Sequence, residues 1–499
     1  MTSGRQGAPR DVAVVDIGSN SVRLVVYRVD GRDFTAILND RVAAGLGRAL
    51  SDTGMLSAEG MAATLAAARR FRLFLDAKKV SEVYAVGTAA VREAGNAPEF
   101  LVEVERALGA KVRVLSGAEE GRYAALGVLA GNPDATGVVA DFGGASLELA
   151  PVVDGEVAEP VTLSLGALAL ADRAQGSARS VRDLIDEVLA STALEAPEGG
   201  ELHAVGGAWR NFAKIVMVKD AYPLQLLQGY RIEARHAIDI ARLVSKMSAA
   251  TIARIPQVSR KRSETMPVAA LVLERVLKRF NFTHVTLSAY GLREGVVLET
   301  MSDRVRRDEP LLAAAEAMAR RQGAELAFGR ALEDWIAPAI DAFGPAVSTG
   351  RDRKLFLTAC RLADIGAAYH PDHRAELTAR KVLYSTLPCA SHAERIFLAL
   401  AVHHRYAGRR PALEGLGLEP FTAPEISTAA LRIGLTLRLA GSISARAASL
   451  LAHSRLALTD SEVRLELTKR GADLATEVVE KRLVQLAEGL ERTPKIEAA

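Results

Sequence analysis

Near the start of the chain, two apolar runs flank the polar stretch Asp16-Ile17-Gly18-Ser19-Asn20-Ser21. The run before it, residues 12–15, and the run after it, residues 22–29, are rich in valine and typical of β-strands. A Gly/Ser/Asn turn between two such runs predicts a β-hairpin. Glycine lets backbone N–H groups approach an anion closely and hydroxyls add donors, so this turn is also a candidate phosphate-binding loop.

The same pattern returns later in the chain as Asp141-Phe142-Gly143-Gly144-Ala145-Ser146, again between two strand-forming runs. A single hairpin turn carries little information, but two copies, each opening a stretch of strands and helices, predict two related α/β lobes that face one another. The sequence contains no Walker or dinucleotide-binding motif, and a strand, not a helix, follows Gly18. The turns 18–21 and 143–146 are therefore predicted to be two phosphate-binding loops.

The overall composition limits the class of protein. With 499 residues the chain should form several domains, and its net charge of +3 is too small to indicate nucleic acid as a partner. Cys360 and Cys389 lack the spacing of zinc or redox sites, which favours a reducing compartment. The polar residues 1–10 have no signal-peptide core, and no run is long enough to cross a bilayer. We expect a cytoplasmic protein with no membrane partner.

A change in composition near Pro310 suggests how the chain is divided. Before it, strands and helices alternate; after it, long Ala/Leu/Arg helices dominate to about His453. A hairpin of residues 455–458 and 463–467, followed by a helix from Asp473 to Glu488, is predicted to end the chain. The predicted domains are a disordered N-terminus (1–10), lobe I (11–132), lobe II (133–305), a helical domain (306–453) and a small α+β unit (454–499).

Three acidic residues lie at the edges of the two turns, namely Asp16, Asp141 and Glu148. Bare carboxylates would repel a phosphate, so acidic residues in a phosphate site indicate a divalent cation, and Mg²⁺ suits carboxylate and phosphate oxygens. The alternative is that Glu148 is a solvated strand residue, since its alternation with Ser146 permits either arrangement.

The segment Ser116-Gly117-Ala118-Glu119-Glu120 separates a structural glutamate from a spare one. Ser116 and Glu119 match a capping box, which gives Glu119 a role at a helix start. Glu120 is not needed for the cap and is a candidate general base for activating water. Simple complementarity to the helix dipole is the alternative. Arg92, one turn beyond Thr88, is a candidate to bind a phosphate with its planar guanidinium.

Together these motifs resemble the exopolyphosphatase/guanosine pentaphosphate phosphohydrolase family of the actin-like superfamily. The resemblance rests on the two turns, on residues 86–92 and 116–120, and on Leu292-Arg293-Glu294-Gly295-Val296, and it spans roughly residues 11–302. It implies two actin-like (ribonuclease H-like) lobes, an all-helical HD-like domain and a homodimer. It also implies that Glu120 is catalytic, that the turns, Thr88 and Arg92 bind phosphate, and that Asp141 and Glu148 are associated with Mg²⁺.

The chain departs from the family pattern in places. Ala145 stands where a third glycine is usual, and residues 205–209 lack the Ser/Thr of the superfamily's adenosine motif, which disfavours nucleotide binding. The helical domain has Ala363-Asp364 where an active HD enzyme needs His-Asp, so it is predicted to be structural and substrate-guiding. Basic clusters are candidates for a polyanion channel: Arg260, Lys261 and Arg262 with Arg254, and Arg405 with Arg409 and Arg410.

Several functions remain open at this point. The leading hypothesis is an exopolyphosphatase, in which water removes terminal phosphates from inorganic polyphosphate. Hydrolysis of guanosine pentaphosphate to the tetraphosphate is the alternative within the family. An actin-like ATP-dependent kinase and a non-enzymatic phosphate or alarmone sensor are the alternatives from other classes, and the spare Glu120 argues against the kinase.

Overall fold

A computed structural model describes residues 8–48, 50–167, 170, 178–197, 199–347, 350–413, 415–418 and 422–498. Residues 1–7 of the segment predicted to be disordered lie outside the described residues, whereas Arg10 begins the first strand. The chain divides into two compact units, Met1–Asp308 and Glu309–Ala499. None of the helices in the described residues combines the length and hydropathy that crossing a membrane would require.

The first lobe of unit 1 contains a sheet in the order β3-β2-β1-β4-β5. Its strands are β1 (Arg10–Ile17), β2 (Val22–Asp30), β3 (Asp33–Val42), β4 (Glu82–Gly87) and β5 (Val112–Val114). Its helices are α1 (Leu50–Thr53), α2 (Ala58–Lys78), α3 (Ala89–Glu93), α4 (Ala97–Leu108) and α5 (Gly117–Gly131). Helix α2 begins at the predicted cap, where the Ser57 side chain accepts a hydrogen bond from the Gly60 N–H group, and it buries Phe71 and Leu75 against the sheet.

The second lobe contains a sheet in the order β11-β12-β10-β6-β7-β8, with β9 paired to β7. Its strands are β6 (Gly137–Phe142), β7 (Leu147–Val153), β8 (Glu156–Val157), β9 (Val161–Leu163), β10 (Glu201–Val205), β11 (Arg231–Glu233) and β12 (His284–Leu287). Its helices, with the two that end the unit, are α6 (Ala178–Ser191), α7 (Gly207–Lys219), α8 (Ala234–Val244), α9 (Ala249–Ile252), α10 (Met266–Arg279), α11 (Leu292–Glu299) and α12 (Asp303–Arg306). Residues 260–262 form a 3₁₀ turn.

The two sheets share one connectivity. In each, a hairpin (β1–β2 or β6–β7) has its first strand parallel to a later strand, β4 or β10, which in turn is parallel to β5 or β12. The predicted α/β architecture of two related lobes is thus confirmed. The equivalent connectivity also puts both polar turns at the carboxyl end of the first strand of a lobe, which is where ligands bind in α/β sheets.

Unit 2 is mainly helical, as predicted, and ends in a three-stranded sheet. Its helices are α13 (Pro310–Arg321), α14 (Leu326–Ile336), α15 (Asp352–Leu362), α16 (Arg374–Tyr384), α17 (His392–Ala407), α18 (Pro424–Ser444), α19 (Ala448–Leu451) and α20 (Glu477–Gly489). Residues 337–342 and 469–474 are 3₁₀ helices, and the strands are β13 (Ser454–Leu458), β14 (Glu462–Leu467) and β15 (Thr493–Ala498).

The predicted final helix began too early. Residues from Asp473 onward do not continue a single α-helix: a 3₁₀ segment ends at Leu474, and Thr476 caps α20 by accepting a hydrogen bond from the Val479 N–H group. The cap fixes the helix start because it supplies a partner for an otherwise unpaired N–H group. Strand β15, which pairs parallel to β14, was not predicted.

Candidate active site

The two polar turns line one cavity of about 640 Å³ in unit 1. Predicted site residues that line it are Asp16, Gly18, Ser19, Asn20, Ser21, Thr88, Glu120, Asp141, Gly143, Gly144, Ala145, Ser146, Glu148, Lys261 and Arg262. Arg92 is not among the lining residues but contacts Glu120. Arg260 is exposed and does not line the cavity, and its place in a polyanion channel stays a prediction.

The two turns have the same internal geometry. The Gly18 N–H group donates to the Ser21 carbonyl at 3.1 Å, and the Gly143 N–H group donates to the Ser146 carbonyl at 3.0 Å. Within the described residues, no protein group accepts a hydrogen bond from the backbone N–H groups of residues 19–21 or 144–146. Such N–H groups, on short turns at a cavity wall, are free to bind an anion.

Both hairpins have an aspartate at the end of the first strand, but they differ in the residue directly across from it on the second strand. In the second hairpin Asp141 lies directly across from Glu148, so two carboxylates share one face of the sheet. In the first hairpin the partner of Asp16 is Arg23. Like charges directly opposite each other destabilise a strand pair, whereas opposite charges stabilise it. The second hairpin lacks the cross-strand counter-charge of the first, although Arg210 opposes the rise that burial causes in the pKa of Asp141.

Asp16 also has a second cationic partner. Its Oδ2 accepts a hydrogen bond from Arg293 Nη1 at 2.7 Å, and both side chains are largely buried. Although burial lowers the pKa of Arg293, the attraction of Asp16 and Glu294 outweighs it and the pKa rises. The first turn of α11, which carries Arg293, is fixed by the neighbouring Glu294. The Glu294 carboxylate accepts hydrogen bonds from the Gly291 N–H group and from the Tyr27 hydroxyl. The arrangement gives the Asp16 carboxylate a buried cationic partner on α11.

Glu120 lies in the first turn of α5, and the predicted capping box of Ser116 and Glu119 is present. Glu120 is 8% exposed and pairs with Arg92, which also donates to the Leu115 carbonyl at 2.8 Å. Burial raises the pKa of Glu120 to about 7, against the opposing effect of Arg92. A carboxylate with a pKa near neutrality is suited to accept a proton.

Close packing of α5 brings Glu120 next to the acidic pair. A Cβ atom on Gly121 would lie 2.8 Å from Pro160 Cβ and 3.4 Å from Glu148 Cβ. Burial raises the pKa of Asp141 to about 6 and that of Glu148 well above its ordinary value, and Glu120 and Asp141 are the next causes of the rise at Glu148. These carboxylates thus lie close enough to disfavour one another's charge.

The acidic pair fits a divalent cation. Oε1 of Glu148 is buried and has no hydrogen-bond partner among the described residues, and Asp141 faces it across the hairpin. Nowhere in the described residues are three or more His, Cys, Asp or Glu side chains arranged together to hold a metal ion. Mg²⁺ requires only one or two carboxylates when phosphate and water complete its coordination. Asp16, predicted as a third ligand, is paired with Arg293, and its role as a ligand stays a prediction.

Several cationic residues of the cavity were not predicted as site residues. They are Arg23, Arg41, Arg48, Arg210, Lys214 and Arg293. Arg293 lies within one of the motifs quoted for the family resemblance, which was a signal that could have been used. The others come from strands, loops and helices with no shared motif, so only the fold brings them together.

The comparisons with known proteins agree with this geometry. The sequence profile of the Ppx/GppA phosphatase family matches residues 25–304, and that of the exopolyphosphatase C-terminal family matches residues 311–494. The chain belongs to the Ppx/GppA phosphatase family. It is accordingly a phosphatase, which confirms the predicted enzyme class.

Two curated relatives and two solved structures illustrate the similarity. Exopolyphosphatase 1 of Mycobacterium leprae is 27% identical over 308 residues, covering 58% of this chain and 89% of that protein. Its Mycobacterium tuberculosis counterpart is 26% identical over 304 residues, covering 58% and 88%. The Aquifex aeolicus Ppx/GppA family member superposes with a TM-score of 0.53 at 25% identity, covering 60% of this chain and all of that one. An exopolyphosphatase from Cytophaga hutchinsonii, at 23% identity, TM-score 0.53 and coverage of 58% and 96%, shares the fold.

Proposed function

We propose that this phosphatase is an exopolyphosphatase. It adds water across the terminal phosphoanhydride bond of inorganic polyphosphate, releasing orthophosphate and a chain one phosphate shorter. The observation that carries the proposal is Glu120, a buried carboxylate not used by its helix cap, beside two turns with free N–H groups. The names of the mycobacterial relatives support the same substrate.

In the proposed mechanism Glu120 accepts a proton from a water molecule as the water oxygen attacks the terminal phosphorus. The bond from that phosphorus to the bridging oxygen breaks, and the shortened chain leaves with the bridging oxygen. The N–H groups of residues 19–21 and 144–146 stabilise the negative charge on the phosphoryl oxygens. Thr88 adds a hydroxyl, and Arg92 orients the Glu120 carboxylate.

We also propose that the reaction depends on Mg²⁺. Asp141 and Glu148 would hold the ion, which supplies positive charge to the phosphate oxygens when bound. The proposal is supported by the two facing carboxylates and by the unpartnered Oε1 atom of Glu148.

The cavity wall favours a phosphate chain over a nucleotide base. Arg262 lies against the turn after β10, since a Cβ atom on Gly207 would be 2.4 Å from its Nη2 atom. This turn belongs to residues 205–209, which correspond to the superfamily's adenosine motif. The Arg262 guanidinium therefore occupies space beside the position where a base would bind. Trp209 is fully buried and stacks on Phe142, so it is not available to a base. Lys261 and Lys214 extend the cationic wall.

Phosphate release from long-chain polyphosphate and from guanosine pentaphosphate tests the proposal. Each substrate is assayed with Mg²⁺ and with EDTA, using the wild type, Glu120→Gln and the control Glu119→Gln. We expect activity that requires Mg²⁺, falls at least about 10²-fold in Glu120→Gln and persists in Glu119→Gln. Equal activity of wild type and Glu120→Gln would overturn the mechanism, and a strong preference for the nucleotide would overturn the substrate.

The assembly and location remain proposals of the same kind. We propose a homodimer on the family resemblance alone, to be tested by light scattering of the purified chain. A cytoplasmic location is proposed because Cys360 is a buried free thiol. Fractionation of the native host tests it.

A further inference from the structure

A group of basic side chains surrounds one carboxylate inside unit 2, far along the chain from the phosphatase motifs. Arg374 at the start of α16, Arg405 in α17 and Arg446 after α18 each lie close enough to Asp364 to lower its pKa, although burial raises it overall. We call these three residues the arginine cluster. Arg446 Nη1 lies 3.5 Å from Asp364 Oδ2.

Arg405 lies at the centre of this cluster and lacks a polar partner. The residue is only 9% exposed, its Nε atom is buried and unpaired, and no described residue accepts a hydrogen bond from its guanidinium. Its one specific contact is a cation–π contact with Tyr406, whose ring centroid is 5.1 Å from Cζ. A buried guanidinium normally satisfies its donors with carboxylate, phosphate or carbonyl oxygens, because an unpaired buried charge is costly.

The charges around Arg405 do not balance. Three guanidinium groups face the single carboxylate of Asp364, and Asp364 Oδ1 is itself buried without a hydrogen-bond partner in the described residues. Arg374 also lies over the Tyr406 ring, with its Cζ atom 5.6 Å from the centroid, and its Nε and Nη2 atoms donate to the Tyr369 carbonyl. The cluster therefore has an excess of positive charge, and its unpaired buried donor belongs to Arg405.

The surrounding backbone is adapted to this arrangement. Gly441 on α18 faces Arg405 closely, since a Cβ atom there would lie 2.3 Å from Arg405 Nη2. Ala445 and Arg446 both have left-handed backbone conformations, with φ of 47° and 72°. Such conformations are unfavourable for residues with a side chain. The fold maintains them where the guanidinium of Arg446 meets Asp364.

We propose that the arginine cluster is a binding site for an oxyanion of the phosphate class. Arg405 supplies a buried, unpaired Nε donor, while Arg446, whose side chain is 48% exposed, and the partly exposed Arg374 give access from solvent. The planar guanidinium group matches the geometry of phosphate oxygens. Three guanidinium groups and one carboxylate leave two positive charges in excess, which a dianion offsets. The site is distinct from the cavity of unit 1 and does not depend on the proposed catalytic function.

Calorimetric titration of the full chain tests the proposal in EDTA, so that no turnover occurs. The ligands are inorganic phosphate and methylenediphosphonate, whose P–C–P bond is not hydrolysed. We expect Arg405→Met and Arg446→Gln each to bind with one site fewer than the wild type, or with at least tenfold weaker affinity at one site. Arg380→Gln, on the exposed face of α16 in a pair with Glu376, is the matched control and should bind like the wild type.

The two ligands distinguish the sources of the anion. Comparable affinity for phosphate and diphosphonate assigns the site to free orthophosphate, whereas at least tenfold tighter diphosphonate binding assigns it to a phosphate chain. Arg446 is at the surface, so its substitution remains informative if Arg405→Met fails to fold. Unchanged stoichiometry and affinity for both ligands in Arg446→Gln would overturn the proposal.

Discussion

The exchange of Glu120 for glutamine should stabilise unit 1 while removing its activity. The folded protein raises the pKa of Glu120 from 4.5 to about 7, chiefly by burial. In the unfolded chain the carboxyl group loses its proton near the lower value, so wild-type stability falls as the pH rises from about 4.5 through about 7. Glutamine does not titrate and avoids this loss. The interval between the two pKa values corresponds to about 3 kcal/mol.

Urea unfolding of the metal-free protein at pH 4 and pH 8 measures the effect. Trp209 is in unit 1 and Trp335 in unit 2, so Trp335→Phe is introduced into every variant and fluorescence then reports on unit 1. We expect similar stability of wild type and Glu120→Gln at pH 4. At pH 8 the variant should be more stable by up to about 3 kcal/mol.

Glu119→Gln is the matched control, because the neighbouring glutamate has the opposite environment. Its pKa is lowered, mainly by the Ser116 N–H group of the capping box and by Arg113. The charge of Glu119 thus stabilises the fold above its ordinary pKa, and Glu119→Gln should be less stable than the wild type at pH 8 by about 1 kcal/mol or less. If Glu120→Gln also lost stability at pH 8, the argument from burial would be refuted.

Three further results are expected. Glu148→Gln should raise the Mg²⁺ concentration for half-maximal phosphate release at least tenfold, measured by titrating Mg²⁺ into the assay, because it removes one of two proposed ligands. Arg293→Gln should lower the free energy of unfolding at pH 7 by about 1–3 kcal/mol, measured with urea, because it removes the direct ion pair of the mostly buried Asp16 and leaves only the cross-strand Arg23 beside it. Gly127→Ala should lower the melting temperature, with a loss of about 1–3 kcal/mol, because its Cβ would meet the Gly291 carbonyl oxygen at 2.0 Å.

The fold could be predicted where local chemistry determines it. The hairpin turns, the Ser57 cap and the Ser116–Glu119 capping box are each encoded within a few adjacent residues, and the structure contains all of them. Strand β15 could not be predicted in this way. Its pairing partner β14 lies before helix α20, and parallel pairing depends on how that helix folds back, not on the strand's own residues.

The same distinction applies to the site. The turns, Glu120 and the acidic pair lie within short motifs. Arg293, which donates a hydrogen bond to Asp16, is 277 residues away from it in sequence. No local pattern reveals that Arg293 reaches Asp16 or that Arg262 covers Gly207, because these contacts exist only once the two lobes have folded. The prediction of Asp16 as a metal ligand stays a prediction, although its carboxylate is paired with Arg293.

The two hairpins show how one repeated motif can serve two chemical roles. Both carry an aspartate before the glycine turn, and both turns close with the same hydrogen bond. Across the strand from that aspartate, however, the first hairpin has Arg23 and the second has Glu148. The first is balanced within the protein and can present its N–H groups to an anion directly. The second carries two facing negative charges, so it is suited to bind an anion only together with a cation. In the proposed mechanism, a single cross-strand position thus separates a turn that binds an anion directly from one that binds it together with a metal ion.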